Sequence, residues 1–287
     1  MPFNTLLRKI KYSVRPALYW ARTDIPNWGD DLNPWLFERL TGKKPIYCPH
    51  PDIPRLLMAG SILDHAGPKD TCWGSGFING NAGRRTRLTS AAAVRGPLTA
   101  EMLERCGSPT STVFGDPGLL AAGFVETGGD KTHRWAVVPH YIDSDQGIKL
   151  AAQVSAKVVP VSLPIEEFVR QLSAAERVFS SSLHGLICAE SLGIPAVWVK
   201  FSDNVLGGAF KFHDYIAGTD REPKGILPLD LRTDYVTEFT MAKHAPLEKF
   251  DLSAIEHRLL KAFPAKLASN LAIRKLPVAR ENEDPSF

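Results

Sequence analysis

Three consecutive serines, Ser180, Ser181 and Ser182, stand just ahead of His184 and Gly185 within VFSSSLHGLICAESLGIPAVWV, residues 178–199. The pattern predicts an apolar strand, a turn, an apolar helix halted by Gly193 and Pro195, and a second strand. Ser181, Ser182, His184 and Gly185 would then lie where free N–H groups and the positive end of a helix dipole favour an anion. An imidazole, with an ordinary pKa of about 6.5, suits proton transfer near neutrality. A proton donor beside an anion cradle points to chemistry on a phosphate- or carboxylate-bearing substrate. The plainer reading is a serine-capped helix with His184 packed against the next strand, although three serines exceed what one cap needs.

Other residues could share that chemistry. Arg95, in VRGPLTAEML, ends a strand before a proline-started helix and could grip phosphate or carboxylate as a fork; the alternative is an ion pair with Glu101 or Asp116. PNWGDDLNPWL supplies Asn27, Gly29, Asp30 and Asp31 in the loop after the first strand. The acidic pair could orient sugar hydroxyls or act as a base, or could cap the following helix. His140, in VVPHYID, follows a strand at the same sheet edge as His184, so the two could act as acid and base. Lys211, in KFHDY, offers a mobile cation within reach of a cleft, and Asp116, in GDPGLL, reads as a turn residue.

Short apolar runs alternating with helical patterns must position these groups. ALYWA (17–21), RLLMAGSI (55–62), CWGSGF (72–77) and AAAVRG (91–96) read as strands, with helices over DLNPWLFERLTG and PLTAEMLERCG. Residues 125–134, VETGGDKTHR, form a polar linker. Beyond it, WAVVPH, KVVPVS, RVFS and AVWVKF alternate with helical segments in a βαβαβαβ order that implies a parallel sheet. The expected class is α/β, with two Rossmann-like lobes facing a cleft. The divisions are a basic arm over 1–16, an N-terminal lobe over 17–124 (acceptor side), a C-terminal lobe over 135–265 (donor side) and a polar tail over 266–287.

Composition narrows the class further. The net charge of +3 is too slight to argue for a nucleic-acid partner, and none is expected. No run of 18 apolar residues exists and residues 1–20 lack a signal-peptide pattern, so a cytoplasmic location is expected. The basic, partly apolar segment over residues 6–20 could touch an anionic membrane surface, or run as a solvated arm into the first strand. Four scattered cysteines support neither disulfides nor zinc. No phosphate loop, strand-linked GxGxxG, DxD, HExxH or GxSxG is present, which disfavours kinases, NAD enzymes, metalloproteases and α/β-hydrolases.

Taken in order, NWGDDLNPWL, MAGSIL, GSGF, VRGPLTAEML, GDPGLLA, VVPHY, SSSLHGLICAESLGIP and KFHDY resemble the polysaccharide pyruvyl transferase family, in its bacterial exopolysaccharide ketal-pyruvate branch. The resemblance spans about residues 17–217. It implies a GT-B-like pair of lobes, phosphoenolpyruvate as donor substrate, no cofactor or metal, and an acceptor sugar on a lipid-linked oligosaccharide or polysaccharide. Carried onto this chain, it makes His184 the proton donor, with His140 or Asp30 as base. Arg95, Ser181, Ser182, Gly185 and Lys211 would bind donor, and Asn27 and Asp31 acceptor. One departure stands out: relatives commonly read S-R-L-H where this chain has Ser182, so donor charge must be met by Arg95, Lys211, the Arg84, Arg85 and Arg87 cluster or serine hydroxyls. Two rival readings remain: a nucleotide-sugar glycosyltransferase, for which Glu190 would be the ribose or base ligand, and a non-catalytic glycan-binding subunit of an assembly complex.

Overall fold

The computed structural model describes residues 11–12, 14–81, 86–221, 226–232, 236–244 and 250–264. Most of the basic arm, the tail and Arg84 and Arg85 lie outside the described residues; Arg87 bonds the carbonyls of Thr86 and Cys106. Two parallel five-stranded sheets organise the rest. The first comprises β1 (Ala17–Tyr19), β2 (Ile46–Tyr47), β3 (Leu56–Leu57), β4 (Thr71–Trp73) and β5 (Ser90–Ala93), with helices α1 (Trp28–Thr41) and α2 (Pro97–Arg105). The second comprises β6 (His133–Val138), β7 (Lys157–Val158), β8 (Ala175–Ser180), β9 (Ala196–Lys200) and β10 (Leu229–Asp230). Its helices are α3 (Ser144–Gln153), α4 (Ile165–Ser173), α5 (Leu183–Ser191) and α6 (Phe210–Gly218), followed by α7 (Glu238–His244) and α8 (Ser253–Lys261).

The strands run β2-β1-β3-β4-β5 in one sheet and β10-β9-β8-β6-β7 in the other. Renumbered within each half, both are the same order, 2-1-3-4-5. In such sheets ligands bind beyond the carboxyl ends of the strands where the order reverses. Those switch points are β1/β3 and β6/β8. Asp30 follows β1, His140 follows β6 and Ser181 follows β8, so the residues singled out by type lie where topology puts a site.

The halves are joined by apolar packing. One continuous buried cluster includes Leu18, Leu32 and Trp73 from the first half with Val138, Phe168 and Leu186 from the second. Helix α5 is apolar on nearly all faces and sits within this cluster, which is what an all-round apolar helix requires. Helix α8 follows the second sheet in sequence yet packs on the first half: the Trp73 indole N–H donates to the Leu259 carbonyl at 2.9 Å, and Phe263 meets Trp73 edge-on.

A buried ion pair adds a second tie. Arg95, fully buried after β5, donates Nε–H to Asp214 of α6 at 2.9 Å, and its other nitrogens bond the Ser61 hydroxyl and the Phe77 carbonyl. Asp214 also accepts from the N–H and hydroxyl of Thr99, at 2.9 and 2.7 Å. It thus caps α2 from another helix, because Gly96 at the cap position has no side chain to do so. A Cβ on Gly96 would lie 1.8 Å from the Asp214 carbonyl oxygen, so the approach needs glycine. Removing one partner of a buried pair strands the other charge, at a cost of about 3–5 kcal/mol. Asp214→Ala is therefore expected to lower unfolding free energy by that amount in urea titrations; a loss near zero would show that Arg95 has another counter-ion.

Candidate functional site

The N-terminus of α1 is plugged into the second half. Trp28 donates its backbone N–H to Val161 at 2.7 Å and its indole N–H to Ile165 at 3.3 Å, and its ring lies 5.2 Å from that of Phe168. The next residue, Gly29, then meets His184: a Cβ there would fall 1.9 Å from the imidazole Nδ1. The glycine of NWGDD is required by this contact across the two halves. On its other side the His184 Nε2 is fully enclosed and has no hydrogen-bond partner among the described residues. Burial, then the charges of Lys211 and Arg95 and the nearby His140, push the His184 pKa down to about 3. The free imidazole is therefore neutral at physiological pH.

Asp30 and Asp31 divide the two roles left open by the sequence. Asn27 caps α1, accepting from the Gly29 N–H at 3.1 Å, and the Asp31 carboxylate accepts from the Asn27 N–H at 3.3 Å. The exchange is reciprocal, as in a capping box, but runs to the residue four positions on. Asn27 and Asp31, expected at the acceptor, are thus engaged in capping α1. Asp30 makes no such bond. Asn33 exchanges hydrogen bonds with the Ala59 backbone at 2.9 and 3.2 Å, fixing α1 over the end of β3. Burial, and next the Asp31 charge, raise the Asp30 pKa to about 7, against the opposing pull of Lys211.

Lys211 lies in α6, not in a mobile loop, and is 7% exposed. Its ammonium makes no ion pair among the described residues; burial, with Arg95, lowers its pKa to about 8, while Asp30 opposes the shift. Arg95 is the main departure from expectation. Each of its three nitrogens bonds protein and its side chain is fully buried, so it presents no open fork to a phosphate; it acts on Lys211 through its charge. Neither Glu101 nor Asp116 is its partner: Glu101 pairs with Arg105, and Asp116 caps the turn over Pro117–Leu120.

The serines also separate by role. Ser180 folds the turn, bonding the Val138 and Ser182 carbonyls and accepting from the Ser182 N–H. Ser181 accepts from the His140 N–H at 2.9 Å, stitching the β6/β8 switch point. Ser182 is buried at the N-cap of α5, yet its hydroxyl makes no capping bond. Gly185 packs: a Cβ would lie 2.5 Å from Val138 Cγ1, so glycine permits the close approach of α5 to β6. His140 accepts the Ile142 N–H on Nδ1 at 3.3 Å, and burial, then Lys211, push its pKa down to about 4. With Nδ1 accepting, its proton sits on Nε2, which makes it a donor to an anion. Among the described residues no group of three His, Cys, Asp or Glu is placed to hold a metal, no helix is long and apolar enough to cross a membrane, and all four cysteines are free.

The arrangement joins Lys211, two neutral imidazoles and a protonatable carboxylate at facing switch points, which suits proton transfer on an anionic substrate. The model of the family described as polysaccharide pyruvyl transferase matches residues 29–203, more than half of the chain. The chain belongs to the polysaccharide pyruvyl transferase family. Membership agrees with the resemblance drawn from the ordered motifs, and the matched span contains Asp30, His140 and His184 but ends before Lys211. The chain is 29% identical over 213 residues to the uncharacterized protein L143 of Acanthamoeba polyphaga mimivirus, covering 68% of this chain and 72% of that protein. It is 28% identical over 207 residues to the succinoglycan biosynthesis protein ExoV of Rhizobium meliloti (strain 1021), covering 69% of this chain and 63% of that one. No solved structure matches it.

The Asp30 environment has a measurable signature. A pKa raised on folding means that the native state holds the proton more tightly, so stability falls as pH rises from the unfolded value toward about 7. The full effect is at most about 4 kcal/mol. Asp30→Asn removes it. The variant should gain on the wild type between pH 4 and 7 in denaturant titrations, and the difference should level off above; a constant difference would place Asp30 in solvent.

Proposed function

We propose that this family member transfers the pyruvyl group of phosphoenolpyruvate to two hydroxyls of a sugar in a bacterial exopolysaccharide or its lipid-linked precursor, forming a cyclic ketal. The observation that carries this reading is the meeting of Asp30, Lys211 and His184 at the facing switch points, within a pyruvyl transferase. In this reading the two halves act as GT-B-like lobes and the reaction needs no cofactor. The phosphate docks at Lys211, the His140 Nε2–H and the first-turn N–H groups of α5, with the Ser182 hydroxyl beside them.

Charge supplies the acid. A phosphate monoester carries about −1.5 to −2 near neutrality and the donor adds a carboxylate. Moving His184 from about 3 to near 7 asks about 5 kcal/mol of the bound anion. One charge pair at 4 Å gives about 4 kcal/mol at an effective dielectric of 20, so a multiply charged donor meets the need. Protonated His184 then delivers its proton to the methylene carbon, which becomes the methyl group. A sugar hydroxyl bonds the neighbouring carbon and gives its proton to Asp30. The phosphate ester bond breaks and phosphate leaves. The second hydroxyl bonds the same carbon, and its proton returns His184 to the charged form; the Asp30 proton goes to phosphate or solvent.

The nucleotide-sugar alternative asks Glu190 to bind ribose or base. Glu190 accepts the Tyr215 hydroxyl at 2.6 Å and both terminal nitrogens of Arg221 at 2.8 Å, and is itself buried, so it is committed to the core.

His184→Gln should lower kcat about 10²–10⁴-fold while unfolding is unchanged. A wild-type rate would exclude the imidazole as acid. Donor binding should take up about half a proton or more at pH 7, read by calorimetry in buffers of different ionisation enthalpy; no uptake would mean that His184 stays neutral. In the free enzyme the base is Asp30, so kcat/KM should rise with pH through about 7, and Asp30→Asn should abolish that limb along with most activity.

A further inference from the structure

Beside this site a recess of about 120 Å³ opens between the ends of β8 and β9 and helix α6, bounded by Asp143, Ser181, Trp198, Ser202 and Phe212. Asp143 is fully buried. One carboxylate oxygen accepts the Ser202 hydroxyl at 2.5 Å; the other, Oδ2, is buried with no hydrogen-bond partner among the described residues. A buried carboxylate oxygen with open lone pairs calls for a donor. The opposite wall is apolar: Trp198 and Phe212 stack with centroids 4.2 Å apart, nearly parallel. At the rim the charges are matched, Lys200 and Arg232 pairing with Asp203 and Asp230. The interior is therefore acidic and aromatic, unsuited to an anion and suited to a neutral ring that carries hydroxyls.

We infer that this recess is the acceptor subsite and holds one pyranose ring, with a ring hydroxyl donating to Asp143 Oδ2 and an apolar ring face on Trp198. The assignment rests on the proposed pyruvyl transfer and moves acceptor binding from Asn27 and Asp31 to the second half. The size of the recess, about 120 Å³, admits the hydroxyl-bearing edge of a ring. Placement agrees as well. Ser181 lines the recess while bonding the His140 N–H, Asp143 acts electrostatically on His140, and Lys211 and Phe212 are neighbours on α6, so the ring would lie alongside the donor charges.

Methyl β-glucopyranoside and methyl β-galactopyranoside titrated into the full chain, followed by saturation-transfer NMR, test this directly. At least one glycoside should bind saturably, and Asp143→Asn should weaken it about tenfold or more, the loss expected for a hydrogen bond to a charged group. The thermal shift produced by phosphoenolpyruvate should persist in that variant. No binding of either glycoside to the wild type, or equal affinity in Asp143→Asn, overturns the inference. Competition by UDP also overturns it, by making Asp143 a ribose ligand. Glycoside binding without any phosphoenolpyruvate shift in the wild type would instead refute the donor assignment and leave the subsite standing. Should Asp143→Asn not fold, the wild type still decides: with fluorotryptophan incorporated, the Trp198 resonance, identified through Trp198→Phe, must move with glycoside and stay still with UDP.

Discussion

Positive charge held away from water, with too little negative charge beside it, is the constraint on which this structure depends. Lys211 is buried without an ion pair among the described residues, and Arg95 is buried behind it with Asp214. Burial favours the uncharged form of any titratable group, and the four nearby groups all respond in that direction. The two imidazoles lose their protons, Lys211 holds its own less tightly, and Asp30 keeps its proton up to about neutrality. The resulting field comes from two cations and is turned on an enclosed imidazole nitrogen that has no protein partner. Such a site is costly to build and gains most from an anion.

Holding these charges together requires the two halves to be one body at this point. The plug of Trp28 and the contact of Gly29 with His184 set α1 against α5, while Asp214 joins α6 to the start of α2. Each junction is a close backbone approach at a glycine, and each places a charged or titratable side chain within reach of the others. The continuous core behind them makes relative displacement of the halves expensive near α5, so these groups are preorganised, which is the condition for electrostatic stabilisation of a developing charge.

Much of the fold could be read from local pattern. Strands β1, β3, β7 and β9 fall within apolar runs marked by period and turn residues, and β4, β5, β6 and β8 begin one or two residues ahead of theirs. Edge strands β2 and β10, two residues each, carry too little pattern to be seen. At the site, residue type was legible and partnership was not. Arg95 and Asp214 are 119 positions apart, and nothing near either distinguishes a guanidinium committed to a carboxylate from one free to bind substrate. Asp31 offered the same pair of readings as Asp30, and only its bond to the Asn27 N–H tells them apart. Asp143 escaped notice because an aspartate three residues past His140 reads as a turn residue; its burial, and the hydroxyl brought to it from Ser202, depend on tertiary packing.

Ser182 shows how the same logic accommodates a departure from the family pattern. An arginine at this position would bring a third cation to a site where burial and the charges of Lys211 and Arg95 already drive His184 down to about 3. Serine avoids that repulsion. Because its hydroxyl does not cap α5, the first-turn N–H groups keep their hydrogens for an incoming oxyanion. What is lost is a charged fork, worth roughly twice a neutral hydrogen bond. What is retained is a buried neutral imidazole, which in the proposed reaction becomes an acid only when the donor's charge raises its proton affinity.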